Sequence, residues 1–431
     1  MLALLGFLTI AVFLYLILSK RVSVIVALIL VPIVFGLFTS SISELGEMIL
    51  AGISGVAPTG IMLAFAILFF GIMNRAGLFD PFISNVLKLV KGDPLKIVMG
   101  TALIAMATHL DGSGASTFLI TIPALLPIYD RLGMSRLVLT GVTALSCGVM
   151  NMVPWGGPTA RAASSLGVDV SLIFNPLLPA MGIGLIWVLF VSYIIGKRER
   201  KRVGIKEFNY DFHAELSEEE RTTRRPKLIW LNLLITVITI VALIKIWLPL
   251  PVIFMVAFAI ALLINYPKPK DQQDRITEQA NGMVSVVSII FAAGIFTGVL
   301  SGSGMIEAMA TAMVSVIPES TGSFMALFVA ITSMPLSLVF TPDAYYFGVL
   351  PVLSETAAAY GIAPEVIGRA AILGQMTTGF PLSPLTAATF LLIGLARVEL
   401  GDHQRFIFLW AFGSTIVMTI AAFITGALSF S

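Results

Sequence analysis

Long apolar runs separated by short polar turns cover most of the chain. A helix needs about 20 apolar residues to cross a hydrocarbon core roughly 30 Å thick. Residues 1–18, 22–38, 56–73, 137–166, 172–195, 228–248, 251–266, 283–300, 366–395 and 406–430 meet or approach that length. Lys20 and Arg21 follow the first run and no basic stretch precedes it, which predicts a first span with its N-terminus outside rather than a cleavable leader. Two further apolar stretches, 95–128 and 322–352, are interrupted in the middle by His109-Leu-Asp-Gly-Ser-Gly-Ala-Ser-Thr117 and Phe340-Thr-Pro-Asp-Ala-Tyr-Tyr346. Gly, Pro, Asp and Ser favour turns and caps over a lipid-facing helix interior, so both stretches read as re-entrant helical hairpins.

The basic residues test that reading, because cytoplasmic loops collect Lys and Arg. If both interrupted stretches enter and leave by one face, 23 of the 26 Lys and Arg residues fall on the cytoplasmic side. Making one stretch cross fully would place downstream basic loops outside. The exceptions are Arg161, Lys245 and Arg369, and Lys245 lies near an outer helix end where it can snorkel. Residues 197–227, with ten basic and seven acidic residues, form one long polar segment that reads as a solvated cytoplasmic linker.

Composition narrows the class. The chain has 431 residues, of which 58% are hydrophobic and 12% charged, with mean hydropathy +0.99. An average soluble domain carries about 25% charged residues, so a multi-pass protein of the cell (cytoplasmic) membrane is expected, in contact with lipid on all sides. A net charge of +2 gives no basic excess for nucleic acid. One cysteine, Cys147, and three scattered histidines give no disulfide and no permanent metal site that spacing can show.

The chain also resembles itself. Gly71/Gly298, Gly77/Gly304 and Asp80/Glu307 match at an offset of 227, and Gly148/Gly374, Met150/Met376 and Pro158/Pro384 at 226. In the topology above the copies have opposite orientation, and inverted repeats with broken helices characterise secondary transporters that bind substrate near the bilayer midplane. The expected fold is therefore an all-α polytopic membrane protein: an inverted repeat of about ten or eleven transmembrane helices, with two re-entrant helical hairpins and two broken, unwound spans. The expected division is 1–55, N-terminal scaffold helices; 56–196, the first repeat, with hairpin 95–128 and broken span 137–166; 197–227, the linker; 228–281, central helices; and 282–431, the second repeat, with hairpin 322–352 and broken span 366–395.

Gly148-Val-Met-Asn-Met-Val-Pro-Trp-Gly-Gly-Pro-Thr-Ala-Arg161 and Gly374-Gln-Met-Thr-Thr-Gly-Phe-Pro-Leu-Ser-Pro-Leu-Thr386 break the two spans. Unwound backbone at membrane depth is tolerated only beside a protein-lined or watery cavity. There, helix N-termini attract anions and freed carbonyls attract cations. Asn151, Thr159, Thr377, Thr378, Ser383 and Thr386 are the polar groups these breaks expose, and Ser113, Gly114, Ser116 and Thr117 those of the first hairpin tip. Asp111 and Asp343 are the only acids inside the apolar stretches, and a carboxylate at that depth marks an ion or proton path. Each Asp also has a capping alternative. Arg161 suits a substrate carboxylate, with an ion pair to Asp111 or Asp343 as the competing role. His109, beside the first tip, is a proton-shuttle candidate or a structural donor.

Several of these segments, together with Met1-Leu-Ala-Leu-Leu-Gly-Phe-Leu8, Lys20-Arg21 and Leu30-Val-Pro-Ile-Val-Phe35, carry a family resemblance. With Lys91-Gly-Asp-Pro-Leu-Lys-Ile-Val98, Leu110-Asp-Gly-Ser-Gly-Ala-Ser-Thr117 and Asn151-Met-Val-Pro-Trp-Gly-Gly-Pro-Thr-Ala-Arg-Ala-Ala-Ser164, the chain closely resembles the bacterial citrate–metal:proton symporter family of the ion transporter superfamily. The resemblance implies an elevator-type transporter, usually a homodimer, with no cofactor of its own. It implies that citrate enters with a divalent metal ion such as Mg or Ca, driven by protons, with Asp111, Asp343 and His109 as the coupling candidates. Ser113 and Ala115-Ser116 stand where the family often has a second Asp-Gly and Thr residues, a departure that bears on metal preference. Another di- or tricarboxylate or small organic anion as cargo, or coupling to sodium in place of protons, is the nearest alternative. An intramembrane enzyme would need a nucleophile and base for which only His109 and Ser113 or Ser116 are at hand, and a passive channel is the remaining class.

Overall fold

A computed structural model describes residues 1–90, 92–205, 222–315, 318 and 322–430, and all its regular structure is helical. Most of the linker expected at 197–227 lies outside the described residues. Its first part does not: residues 197–203 continue a helix, α10 below.

The first half begins with α1 (Leu2–Leu18) and α2 (Val24–Gly36), then α3 (Ile42–Arg75), a helix of 34 residues. A capping box between Ser41 and Glu44 starts α3 well before the apolar run at 56. After α4 (Asp80–Val90) comes the first hairpin. Its arms are α5 (Pro94–Thr108), capped by Asp93 with Pro94 at the first position, and α6 (Gly114–Leu132), capped by Ser113 and ended by left-handed Gly133. The hydroxyls of Thr101 and Tyr129 lie 2.9 Å apart and those of Thr108 and Thr121 3.3 Å apart, so the arms run antiparallel and the stretch turns back on itself. The broken span follows as α7 (Arg136–Met150) and α8 (Gly157–Leu166), and α9 (Val170–Phe174) leads into α10 (Leu178–Val203).

The second half supplies α11 (Ile229–Lys245), α12 (Leu250–Asn265), α13 (Pro269–Gly302) and α14 (Met305–Val314). Then come α15 (Met325–Leu336), a π-helical turn (Ala344–Val349) running into α16 (Leu350–Ala358), α17 (Pro364–Ile372), α18 (Ala387–Ala396) and α19 (Leu400–Ile424). Five segments, at 42–75, 170–203, 226–245, 269–302 and 400–424, are each long and apolar enough to cross a membrane, and shorter apolar helices fill the rest.

The register found in the sequence reaches further than the sequence reading set it. Adding 227 to the bounds of α1 gives those of α11, and adding it to those of α3 gives those of α13. The first two helices and the early turns of α3, expected to be separate scaffold, thus have counterparts too. A Cβ on Gly52 of α3 would stand 2.8 Å from Gly298 Cα of α13, and one on Gly71 would stand 2.5 Å from the Gln279 side chain. Since 52 + 227 = 279 and 71 + 227 = 298, these are one contact seen from both copies. The early part of each helix meets the late part of the other, so the matched helices cross antiparallel. At the closest point a Gly52 Cβ would lie 2.0 Å from Gly294 O, which is why only hydrogen fits there.

Candidate functional site

The two broken spans meet one another and the first hairpin tip. After Met150 the backbone turns through Asn151 to Gly156, and Pro158 near the start of α8 restarts the helix. Asn151 joins three elements: its Nδ2 donates to Met376 O in the second break at 2.6 Å, and its Oδ1 lies 3.2 Å from His109 Nε2. Since that carbonyl fixes the amide's orientation, Oδ1 is left to accept, and His109 carries its proton on Nε2. Nδ1 then faces Thr117 Oγ1 at 2.7 Å and the Cys147 thiol at 3.1 Å. His109 is fully buried in this network. Trp155 donates from Nε1 to Leu110 O at 2.8 Å and stacks on Phe70 with centroids 5.4 Å apart, pinning the tip to the break.

Three of the hydroxyls expected at the site are taken up by backbone carbonyls. Thr159 donates to Met152 O at 2.7 Å, Ser383 to Ser337 O at 2.6 Å and Thr386 to Phe380 O at 2.9 Å. Thr378 pairs with Thr415 at 2.6 Å, and Thr377 is buried with its hydroxyl unpartnered among the described residues. Gly114 lies under Phe380, whose ring leaves no room for a Cβ, and Thr117 turns inward to His109.

Asp111, Ser113, Ser116 and Arg161 do come together. They line a cavity of about 380 Å³ between the first hairpin tip, the first break and the facing parts of α3 and α13. Asp111 accepts from Ser113 N at 2.8 Å, and Ser113 caps the first turn of α6, accepting from Ser116 N, so the positive end of a 19-residue helix opens here. Arg161 Nε donates to Asp343 Oδ1 at 2.7 Å, and Nη1 to Gly157 O at 3.3 Å. The side chains of this pair are 12% and 14% exposed. Of the two pairings open to Arg161 in the sequence, the structure makes the one with Asp343, which meets the cavity through the guanidinium. Neither Asp is a simple cap: Ser113 caps α6, and Thr341 rather than Asp343 accepts from Ala344 N.

Asn74, Arg75 and Gln279 also line the cavity, and sequence reasoning missed them. Arg75 counts among the basic residues that mark the cytoplasmic side in the sequence, and Gln279 lies in polar turns of α13 that resemble a loop. The usable signal was the repeat itself, since Gln279 is the counterpart of Gly52 at the α3–α13 crossing. Arg75 bonds to Glu278 at 3.1 Å, so α3 and α13 are tied at this end of the cavity.

A cavity framed by two unwound spans and a hairpin tip suits a solute in transit. Residues 13–374 match the profile of the CitMHS citrate transporter family. The chain belongs to that family. It is 54% identical over its whole length to a citrate transporter of Bacillus subtilis and 46% identical to that organism's Mg(2+)/citrate complex secondary transporter, each covered completely. Among solved structures, the YdaH transporter of Alcanivorax borkumensis superposes with a TM-score of 0.62 at 14% identity, over 87% of this chain and 86% of that one. The Neisseria gonorrhoeae antimetabolite efflux pump MtrF gives 0.60 at 15%, over 88% and 83%. At those identities the likeness is one of fold. The CitMHS chain is thus a membrane transporter and not an enzyme.

Proposed function

We propose that this protein is a secondary active transporter that takes up citrate complexed with a divalent metal ion, in symport with protons. Its relatives' names support the cargo. The observation that carries the mechanism is Arg161, which lines the cavity while bonded to Asp343. A guanidinium is a bidentate carboxylate ligand, so a citrate carboxylate and the Asp343 carboxylate compete for it. Protonating Asp343 weakens its hold and releases Arg161 to the substrate. Ser113, Ser116 and the first amides of α6 offer donors to a second carboxylate, and Asp111 faces the cation side of the complex. Asn74 and Gln279 add amide groups on the opposite wall. The remaining hydroxyls keep the breaks open without touching cargo, and His109 holds the tip in place.

In this reading the antiparallel helix copies form an inverted repeat. The hairpins and broken spans shift as a body past the α1–α3 and α11–α13 scaffold, with the N-terminus outside and two chains forming a homodimer in the cytoplasmic membrane. The deciding experiment measures labelled citrate uptake in proteoliposomes, with Mg²⁺, Ca²⁺ or chelator and with or without an inward proton gradient. Accumulation should require both metal and gradient, and should survive replacement of sodium by choline. Equal uptake without metal and without a gradient, or displacement of citrate by succinate at equal concentration, would overturn this reading.

A further inference from the structure

A second cavity lies away from the transport site, where the connection between α1 and α2 faces the second broken span. It measures about 600 Å³ and has apolar walls that include Leu18, Val22 and Phe390. Lys20 and Arg21 line the same groove. Both are exposed, and among the described residues neither is ion-paired with an acid. Arg21 stacks over Tyr15 at 5.3 Å, which occupies the face of the guanidinium and leaves its in-plane N–H donors free. Ser23 and Val24 line the groove as well, so the N-terminus of the 13-residue helix α2 opens into it.

The internal register supplies a comparison within the same molecule. Residues 19–24 correspond, at 227, to 246–251, and those residues line a third cavity of about 550 Å³. Each turn has a left-handed residue, Lys20 at φ 55° and Ile246 at φ 51°, although these stand one place apart in the register. A turn opening on a groove is therefore repeated while its chemistry is not. Lys20 and Arg21 are matched by Trp247 and Leu248, and the third cavity is lined by Asp169 and no cation. This difference follows the two leaflets. Cytoplasmic leaflets carry anionic headgroups that attract Lys and Arg, and tryptophan suits either interface.

We infer that the Lys20–Arg21 groove is a binding site for an anionic phospholipid, with the phosphate on Lys20, Arg21 and the start of α2, and an acyl chain along Leu18, Val22 and Phe390. Thr341 and Thr386 stand on the opposite wall, one in the second hairpin tip and one at the end of the second break. A lipid seated there bridges the α1–α2 connection and a broken span. The site is independent of the substrate reading.

The test is native mass spectrometry of the full-length protein in detergent with phosphatidylglycerol or phosphatidylcholine added. The expected result is preferential retention of phosphatidylglycerol. A K20Q/R21Q variant should weaken retention about thirtyfold, since each basic residue near the headgroups contributes about a factor of five. Because loss of two basic residues can also disturb insertion, Val22→Trp is the second variant: it keeps both charges, fills the apolar wall and should weaken retention as well. Equal retention of the two lipids by wild type, unchanged retention in both variants, or displacement of phosphatidylglycerol by inorganic phosphate would overturn the proposal.

Discussion

Replacing Asp343 by Asn tests the competition at Arg161 directly. The pair is a short charge-assisted bond of 2.7 Å with both side chains mostly buried. A hydrogen bond to a charged group is worth about 1.5–3 kcal/mol net. If a citrate carboxylate must displace Asp343 to reach Arg161, that amount is subtracted from substrate affinity while Asp343 is ionised. Asp343→Asn keeps the shape and removes the competing charge, so affinity for Mg²⁺–citrate at pH 8 should rise about 10- to 150-fold. Accumulation driven by a proton gradient should disappear while the protein is still expressed. Isothermal titration of detergent-purified protein at pH 8, with uptake in proteoliposomes, reads both. Unchanged or weaker affinity would refute the competition and leave Arg161–Asp343 as a strut. A folded state too unstable to purify without citrate, yet rescued by it, would fit the competition, since removing one partner of a buried pair strands the other charge.

Asn151→Ala removes the donor to Met376 O and the acceptor for His109; thermal unfolding should show a loss of about 1–3 kcal/mol, with no new pH dependence of transport. Gly52→Ala should reduce the folded yield, measured by size-exclusion chromatography, because its Cβ would meet Gly294 O, whereas Gly55→Ala, with open space around it, should behave like wild type. At the capped start of α5, burial alone would push the Asp93 carboxyl up, but bonds from Arg200 and Leu95 N outweigh it and hold it below its ordinary 3.8. The stability this contributes is therefore complete above about pH 4 and is lost as pH falls through the lowered value; Asp93→Asn should lower the melting temperature at pH 7 and remove that part of the acid loss.

The first hairpin tip and the two breaks were legible because each is written in residue types that a lipid-facing helix rejects. Gly112 and Gly133 are left-handed in the structure, and Pro158 sits at a helix start. The sequence also narrowed Arg161 to two partners, without the means to choose between hairpin tips. The helix starts were less legible: α3 and α13 begin well before their apolar runs, because capping by Ser41 and the polar turns from Lys270 to Gln279 resemble loop sequence. The hydroxyls of the breaks were the harder case. Spacing shows which hydroxyls an unwound segment presents. It does not show that Thr159 and Thr386 are taken up by Met152 O and Phe380 O within their own breaks, or Ser383 by Ser337 O of the second hairpin, at distances of 2.6–2.9 Å.

The repeat separates architecture from chemistry. By their bounds, helices α8 and α18, ten residues each, match at an offset of 230 rather than the 226 of Pro158/Pro384, because Pro384 lies in the break before α18 and not inside it. At the third position Thr159 and Thr389 do the same work, donating to Met152 O at 2.7 Å and to Phe380 O at 2.8 Å. At the fifth, Arg161 is matched by Leu391. A second arginine there would add a cation at membrane depth with no assigned acid, at a cost of several kcal/mol. Arg75 on the same cavity is offset by Glu278, so Arg161 against two carboxylates leaves the set Arg161, Asp343 and Asp111 at −1 when both acids are ionised. On the proposed reading a magnesium–citrate complex, itself −1, would bring the total to −2, and only protonation of both acids restores zero. A cavity of low dielectric then favours loading with protons and releasing without them, so the uneven sharing of three charges between two otherwise matched halves is itself an argument for proton coupling.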